Sequence, residues 1–212
     1  TIIKSPNPME IEHDNIPWNK SRIIGQKRPL QISHIWGIRI RLELEGKVRD
    51  LALFNVALDS KLRGCDLVKL KVSDVAYGHS VSGRATVLQQ KTGSPVQFEL
   101  TKGTREAVAA WIKMAQLRNS DYLFQSRVGS SRHISTRQYN RIFHGWIGKL
   151  GLDETLYSTH SMRRTKPYLI YKKTKNLRVI QLLLGHKKIE STVRYLGIEV
   201  DDALEISESI EV

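Results

Sequence analysis

Hydrophobic and polar positions divide the chain into a proline-broken beginning, a long stretch of helical periodicity interrupted once by strand-like alternation, and an acidic end. Residues 1–29 hold Pro6, Pro8, Pro17 and Pro29 among scattered polar residues. Such a composition breaks helices and predicts an extended N-terminal arm. Helical spacing starts after Pro29. Ser33 is placed to cap a helix running to about Leu44, and Gly46 separates it from a second helix, Lys47–Leu62, in which Leu51, Phe54 and Leu58 share a face. Leu53, Val56 and Ala57 are apolar too, so the second helix should be buried. Arg63 stands at its C-terminal end, ahead of a short helix Asp66–Leu70.

From Val72 to Leu100 the pattern changes to short strands. Arg84–Gln89 and Pro95–Leu100 flank Lys91-Thr92-Gly93-Ser94, a turn composition that predicts a hairpin. Thr101 then caps a helix to about Gln116. Ser135 caps another through Leu150, with Ile142, Trp146 and Leu150 at every fourth position. From Ser161 to Val200 the spacing is helical with breaks near Asn176 and Gly185. The expected fold class is α+β, mainly helical, with one small antiparallel β-sheet.

Composition narrows the function. The 212 residues are 40% hydrophobic and 26% charged, values typical of a globular protein. Cys65 is the single cysteine, and the seven histidines include no pair three to five apart, so a disulfide framework or a structural zinc site is not expected. A lone thiol suits a reducing cytoplasm. No apolar run reaches the roughly 18–20 residues of a membrane span, and Thr1-Ile2-Ile3-Lys4-Ser5-Pro6 lacks a signal-peptide core. Lys and Arg number 34 against 21 Asp and Glu, a net charge of +13. The charge is uneven: residues 199–212 carry six acids and no Lys or Arg, which leaves the body, residues 1–198, at +19. So basic a body is drawn to polyanions, and nucleic acid is the commonest of these.

The phosphate-binding loops GxxxxGK[ST] and GxGxxG are absent, so a nucleotide cofactor has no support. Other groups recur in order: Leu62-Arg63-Gly64-Cys65-Asp66-Leu67, Lys91-Thr92-Gly93, His160-Ser161-Met162-Arg163, Leu184-Gly185-His186 and Tyr195. Taken singly, each has an ordinary reading. Arg63 is a favourable charge at a helix C-terminus, Lys91 a turn lysine, His160 a helix-start residue and His186 part of a C-cap. Tyr195 competes with Tyr157, Tyr168 and Tyr171 as a core aromatic. Taken together, they make about residues 30–200 resemble the tyrosine site-specific recombinases, or phage integrases, with residues 30–198 as the catalytic domain. His160 to Arg163, Arg163 to His186 (23 residues) and His186 to Tyr195 (nine residues) all match that family's spacing.

The resemblance implies a DNA breaking-rejoining fold and metal-independent, cofactor-free strand cleavage. Arg63 and Arg163 would grip the scissile phosphate, because a guanidinium is planar and permanently charged. Tyr195 would attack to form a 3′-phosphotyrosyl bond. His160 would be the base, Lys91 the general acid toward the departing 5′ oxygen, and His186 a phosphate or tyrosine ligand. Lys69, Lys71, Arg84, Arg132, Thr136, Arg137, Gln138, Lys172, Lys173, Lys187 and Lys188 are candidates for holding double-stranded DNA. Ser131-Arg132-His133-Ile134 leads into a helix whose N-terminal Thr136, Arg137 and Gln138 are placed for phosphates or base edges. A nucleoid-associated cytoplasmic protein follows.

Two departures qualify the match. Pro167 falls four residues after Arg163 in a segment expected to be helical, where it removes a backbone donor and is either tolerated within two turns of the start or displaces Arg163. Only about 30 residues precede the helical region, whereas most members carry a separate DNA-clamping domain there. Either the arm grips DNA, or the clamp is missing, or the chain is a fragment. The tail, residues 199–212, is equally readable as a solvated end or as a helix docking on its own body or on a neighbouring subunit of a tetramer on synapsed DNA. Two further functions stay open: a DNA-binding regulator of the same fold with little catalysis, and a type IB topoisomerase-like activity.

Overall fold

The computed structural model describes residues 26–78, 80–126, 132–198, 204 and 207–210. Expectations for residues 1–25, for Ser131 and for most of the tail, residues 199–212, lie outside the described residues. The end of the arm is pinned to the body: Arg28 N–H donates to the Leu156 carbonyl at 3.0 Å, and the Gln26 side-chain amide donates to the Arg194 carbonyl. Leu30 is buried and its N–H donates to Thr165 Oγ1 at 2.9 Å.

That anchor sets where helix α1 begins. It spans Ile32–Leu44 and is capped at Gln31, whose N–H donates to His34 Nδ1 at 3.2 Å, not at Ser33 as the sequence pattern suggests. Helix α2, Val48–Ser60, is buried along Ala52–Ser60 and packs against α1 and against two later helices, α5 (Lys102–Ala115) and α7 (Thr159–Thr174). The short helices α3, Gly64–Leu67, and α4, Val72–Val75, follow. Strands β3, Arg84–Leu88, and β4, Pro95–Glu99, pair antiparallel, with Ala85 opposite Phe98 and Val87 opposite Val96. The alternation turns Ala85, Val96 and Phe98 to the core. A further ladder, β1 (Ala76–Tyr77) with β2 (Ser80–Val81), was not foreseen because two-residue strands carry no readable alternation.

Helix α6, Thr136–Lys149, is capped as its sequence indicates, with Ser135 Oγ accepting from Gln138 N–H at 3.0 Å. Its buried face is Tyr139, Phe143, Trp146 and Ile147, and Trp146 meets Phe54 of α2 edge to face at 5.3 Å. Helices α8, Leu177–Leu184, and α9, Ile189–Leu196, follow and enclose a small satellite core of Tyr171, Ile180, Leu184 and Leu196 with α7. Pro167 does not interrupt α7, and Arg163 remains buried within it, the tolerated one of the two alternatives. Among the described residues no helix is long and apolar enough to cross a membrane.

Candidate active site

Three chain reversals bring distant residues to one place. Lys61 closes α2 in the left-handed region (φ 56°), so that Arg63 leaves in an extended conformation and opens α3. Gly185 closes α8 at φ 67°, with His186 N–H donating to the Gln181 carbonyl at 3.0 Å. This Schellman-type bond satisfies a helix-end carbonyl and presents His186 beside α9. A Cβ at position 185 would lie 2.8 Å from Val96 Cγ2, so glycine is required both for φ and for the close approach of β4. Gly197, at φ 67°, then ends α9 two residues after Tyr195.

Tyr195 is the centre. Its ring meets the His186 ring edge to face at 5.5 Å, with the guanidinium carbons of Arg163 and Arg164 at 5.9 and 5.4 Å from its centroid. Its hydroxyl is buried with no hydrogen-bond partner among the described residues. Burial pushes the phenol up to about 12, although the charges of Arg163, Arg164 and Arg63 and a side-chain contact with Arg163, outside ordinary hydrogen-bond geometry, pull the other way. Arg163 is 4% exposed, and its Nε and Nη1 are also buried without a hydrogen-bond partner among the described residues. Burial holds its guanidinium below the ordinary value. A buried, permanently charged group with unpaired donors is costly unless something anionic completes it.

Arg63 reaches the same centre. Its Nη1 donates to Gln89 Oε1 at 3.0 Å, and its charge acts on His160, Arg163, His186 and Tyr195. Gln89 is 2% exposed and also accepts from Thr92 Oγ1 at 2.9 Å, linking Arg63 to the turn between β3 and β4. His186 Nδ1 lies 3.0 Å from Thr192 Oγ1, and burial together with Arg163 and Arg63 lowers its pKa. His160, exposed at the start of α7, is lowered by burial and by Arg163, Arg63 and Arg164. Both imidazoles are therefore neutral near pH 7, as a proton acceptor must be.

Five of the six catalytic candidates, Arg63, His160, Arg163, His186 and Tyr195, thus share one electrostatic neighbourhood. Lys91 is exposed on the β3–β4 turn, beside the Gln89–Thr92 contact. Three contributors had no motif of their own: Arg164, Gln89 and Thr192. Arg164 directly follows the matched arginine, and Gln89 lies two residues before Lys91, buried directly after β3. No sequence signal distinguishes Thr192 from an ordinary helical threonine.

The surface candidates are almost all solvent-exposed. Lys69, Lys71, Arg84, Arg132, Thr136, Arg137, Lys172, Lys173, Lys187 and Lys188 are exposed, and Gln138 is half-buried, where its Oε1 accepts from Arg141 at 2.6 Å. Lys69 Nζ donates to Gln90 Oε1 at 3.2 Å. Lys71 and Arg132 line one polar cleft with Arg118 and Tyr122.

Residues 38–200 match the phage integrase family. The chain is 29% identical over 153 residues to the probable integrase/recombinase YoeC of Bacillus subtilis, a match covering 72% of this chain and 80% of that protein. It is 28% identical over 159 residues to the tyrosine recombinase XerC of Neisseria gonorrhoeae, covering 73% of this chain but only 48% of that one. Its fold is similar to that of the XerH site-specific recombinase in a post-cleavage complex with palindromic difH substrate. The TM-score is 0.67 at 19% identity, over 88% of this chain and 54% of that one.

Proposed function

Because the chain belongs to the phage integrase family, we propose that it is the catalytic domain of a tyrosine recombinase, which breaks and rejoins double-stranded DNA during site-specific recombination or integration. The observation that carries this is the buried, partnerless set formed by Arg163 Nε, Arg163 Nη1 and the Tyr195 hydroxyl, with Arg63, Arg164 and His186 around it. A phosphodiester is an anion with two non-bridging oxygens, and a fork of fixed guanidinium donors is the group that matches it.

In this reading Tyr195 Oη attacks the phosphorus of one strand and the bond to the 5′ oxygen breaks. The phosphoryl group is then held on tyrosine as a 3′-phosphotyrosyl ester and a free 5′ hydroxyl is left. A phenol at about 12 is ionised at neutral pH to only about one part in 10⁵, so its proton has to leave as the new bond forms. His160, neutral near pH 7 and exposed at the start of α7, takes it. Lys91 on the β3–β4 turn protonates the departing 5′ oxygen. Arg63 and Arg163 stabilise the charge that builds on the non-bridging oxygens, each removal costing about 10²–10³ in rate. His186, oriented by Thr192, donates to the phosphate or holds Tyr195. Rejoining is the same exchange reversed, with a 5′ hydroxyl of either duplex as nucleophile.

Residues 30–198 form the catalytic domain in this reading, 1–29 an arm and 199–212 an acidic tail that docks on a second copy in a tetramer on synapsed DNA. The exposed lysines and arginines around the site hold the DNA backbone, and the protein works on the nucleoid in the cytoplasm. A nicked suicide substrate tests the chemistry. Protein linked to DNA should survive denaturation, carry the DNA on its 3′ end and vanish in Tyr195→Phe; sequencing of trapped ends from the host replicon supplies the site. Failure to trap any end, with folded protein, would sink the reading.

A further inference from the structure

Close along the chain to Arg63 and Arg163 stands a cluster of four charges that the reaction does not consume. Asp59 of α2 accepts at Oδ1 from Lys166 Nζ of α7 at 2.6 Å, and at Oδ2 from the N–H and Oγ1 of Thr101 at 2.8 and 2.9 Å. Lys166 Nζ also meets Glu99 Oε1 of β4 at 2.5 Å. Lys61 Nζ donates to both Glu99 oxygens, at 3.0 and 2.9 Å, and to the Asp59 carbonyl. The Lys61 side chain is fully enclosed, and its backbone holds φ 56°, a region that a non-glycine residue occupies at a cost. The set is neutral, two ammonium groups against two carboxylates. Hydrogen bonds from Lys166 and its neighbours hold Asp59 and Glu99 below the ordinary carboxylate range against the effect of burial, and those two carboxylates keep Lys166 above its own.

The placement of the four charges is informative. Lys61 lies two residues before Arg63, Lys166 three residues after Arg163, and Glu99 on the strand paired with the one that leads to Lys91. The segments leading to Arg63, Arg163 and Lys91 therefore meet in a common knot, to which α2 with its C-cap contributes two charges and α7 and β4 one each, while α8 and α9 contribute none. Apolar contacts would tolerate sliding of α7 over α2, whereas hydrogen-bonded ion pairs fix direction and distance together. We propose that Lys166 and Lys61, clamped between Asp59 and Glu99, are positioning residues whose ion cluster sets the spacing of Arg63 and Arg163 and couples both to the hairpin of Lys91. The catalytic consequence rests on the function proposed above; the positioning itself does not.

The test compares Lys166→Met, Lys166→Arg and the charge-balanced double variant Lys166→Met/Glu99→Gln, in which Asp59 and Lys61 remain as a neutral pair. The double variant keeps the question answerable where Lys166→Met alone unfolds. Two readouts are taken at a temperature where each variant is folded. The first is the single-turnover rate of covalent adduct formation on saturating suicide substrate, alongside the Kd for the same DNA. The second is the set of NMR resonances of the Arg63 and Arg163 side-chain Nε–H groups in the DNA-free protein, assigned with Arg63→Lys and Arg163→Lys. Misplacing catalytic groups by about an ångström costs on the order of 10²-fold. The double variant should therefore lose at least about ten-fold in rate with Kd changed less than about two-fold, and both resonances should move. Lys166→Arg should restore most of the rate.

A folded double variant with both resonances in place and a rate within two-fold of wild type overturns the proposal. Should wild-type protein form no adduct while the resonances still move, the function reading fails and the positioning stands.

Discussion

The guanidinium carbon of Arg163 lies 5.9 Å from the ring centroid of Tyr195, and the hydroxyl of that ring and two nitrogens of that guanidinium are buried with no hydrogen bond among the described residues. Two groups with strong hydrogen-bonding capacity are thus enclosed side by side, near enough for Arg163 to act on the phenol, yet the hydroxyl and two guanidinium nitrogens lack a partner in ordinary hydrogen-bond geometry among the described residues. Folding gains nothing from this arrangement, since buried polar groups normally find partners. It is accounted for by the anion the pair receives.

Tyr195→Phe should therefore leave stability nearly untouched. The lost oxygen makes no hydrogen bond of ordinary geometry among the described residues and only a weak contact with Arg163, so the thermal midpoint should correspond to a change within about 1 kcal/mol. DNA affinity should persist while the covalent adduct disappears. A melt and a denaturing gel on the same preparation check both.

Arg163→Met should separate stability from activity. Replacing an incompletely paired buried charge by an apolar chain of similar length is expected to be neutral or to stabilise by about 1–3 kcal/mol in urea unfolding, while strand cleavage falls by about 10²–10³-fold. A clear loss of stability would show that Arg163 is a structural group.

The two imidazoles predict a one-sided pH dependence. Burial, then neighbouring arginines, lowers both His160 and His186 in the folded protein. Below about pH 6.5, the ordinary histidine value, the unfolded chain binds protons that the folded chain refuses, so stability falls as pH drops and is fully present above it. Cleavage should follow the same direction, failing on the acid side as His160 protonates. Urea midpoints and single-turnover rates from pH 5 to 8 test this. His160→Asn should slow cleavage and flatten its acid limb, and removing both imidazoles should flatten that of stability.

Gly185→Ala combines two costs, a left-handed backbone and a Cβ 2.8 Å from Val96 Cγ2. Together they should destabilise by about 2–4 kcal/mol. The displacement falls on His186, so adduct formation should slow even where the variant is folded. Gly151 is also at positive φ but faces open space, so Gly151→Ala should show only the backbone cost, about 1 kcal/mol.

Local rules carried far along this chain. Ser135 caps α6, Asn176 caps α8 through Val179 N–H at 3.1 Å and Gly185 ends α8, all where short-range patterns put them. Helix α2 is buried as its apolar run demands. Misplacements occurred where a distant partner decided. Gln31 rather than Ser33 starts α1, because Leu30 is fastened to Thr165, 135 residues away. Pro167 does not break α7, whose Thr165 and Lys166 are tied to other elements on either side. Gln89, Arg164 and Thr192 were missed because each matters only through a neighbour remote in sequence.

The sequence by itself determined the element types, the order of the candidate catalytic residues and the basic body with its acidic end. These depend on spacing, caps and side-chain chemistry, which act over a few residues. Only the tertiary structure decided that the Tyr195 hydroxyl and two nitrogens of Arg163 are enclosed without an ordinary hydrogen bond among the described residues, that Gln89 holds Arg63, and that Asp59, Lys61, Glu99 and Lys166 form one neutral knot. The physical reason is that burial and charge pairing belong to the space between elements, and no periodicity along the chain records which charges that space will bring together.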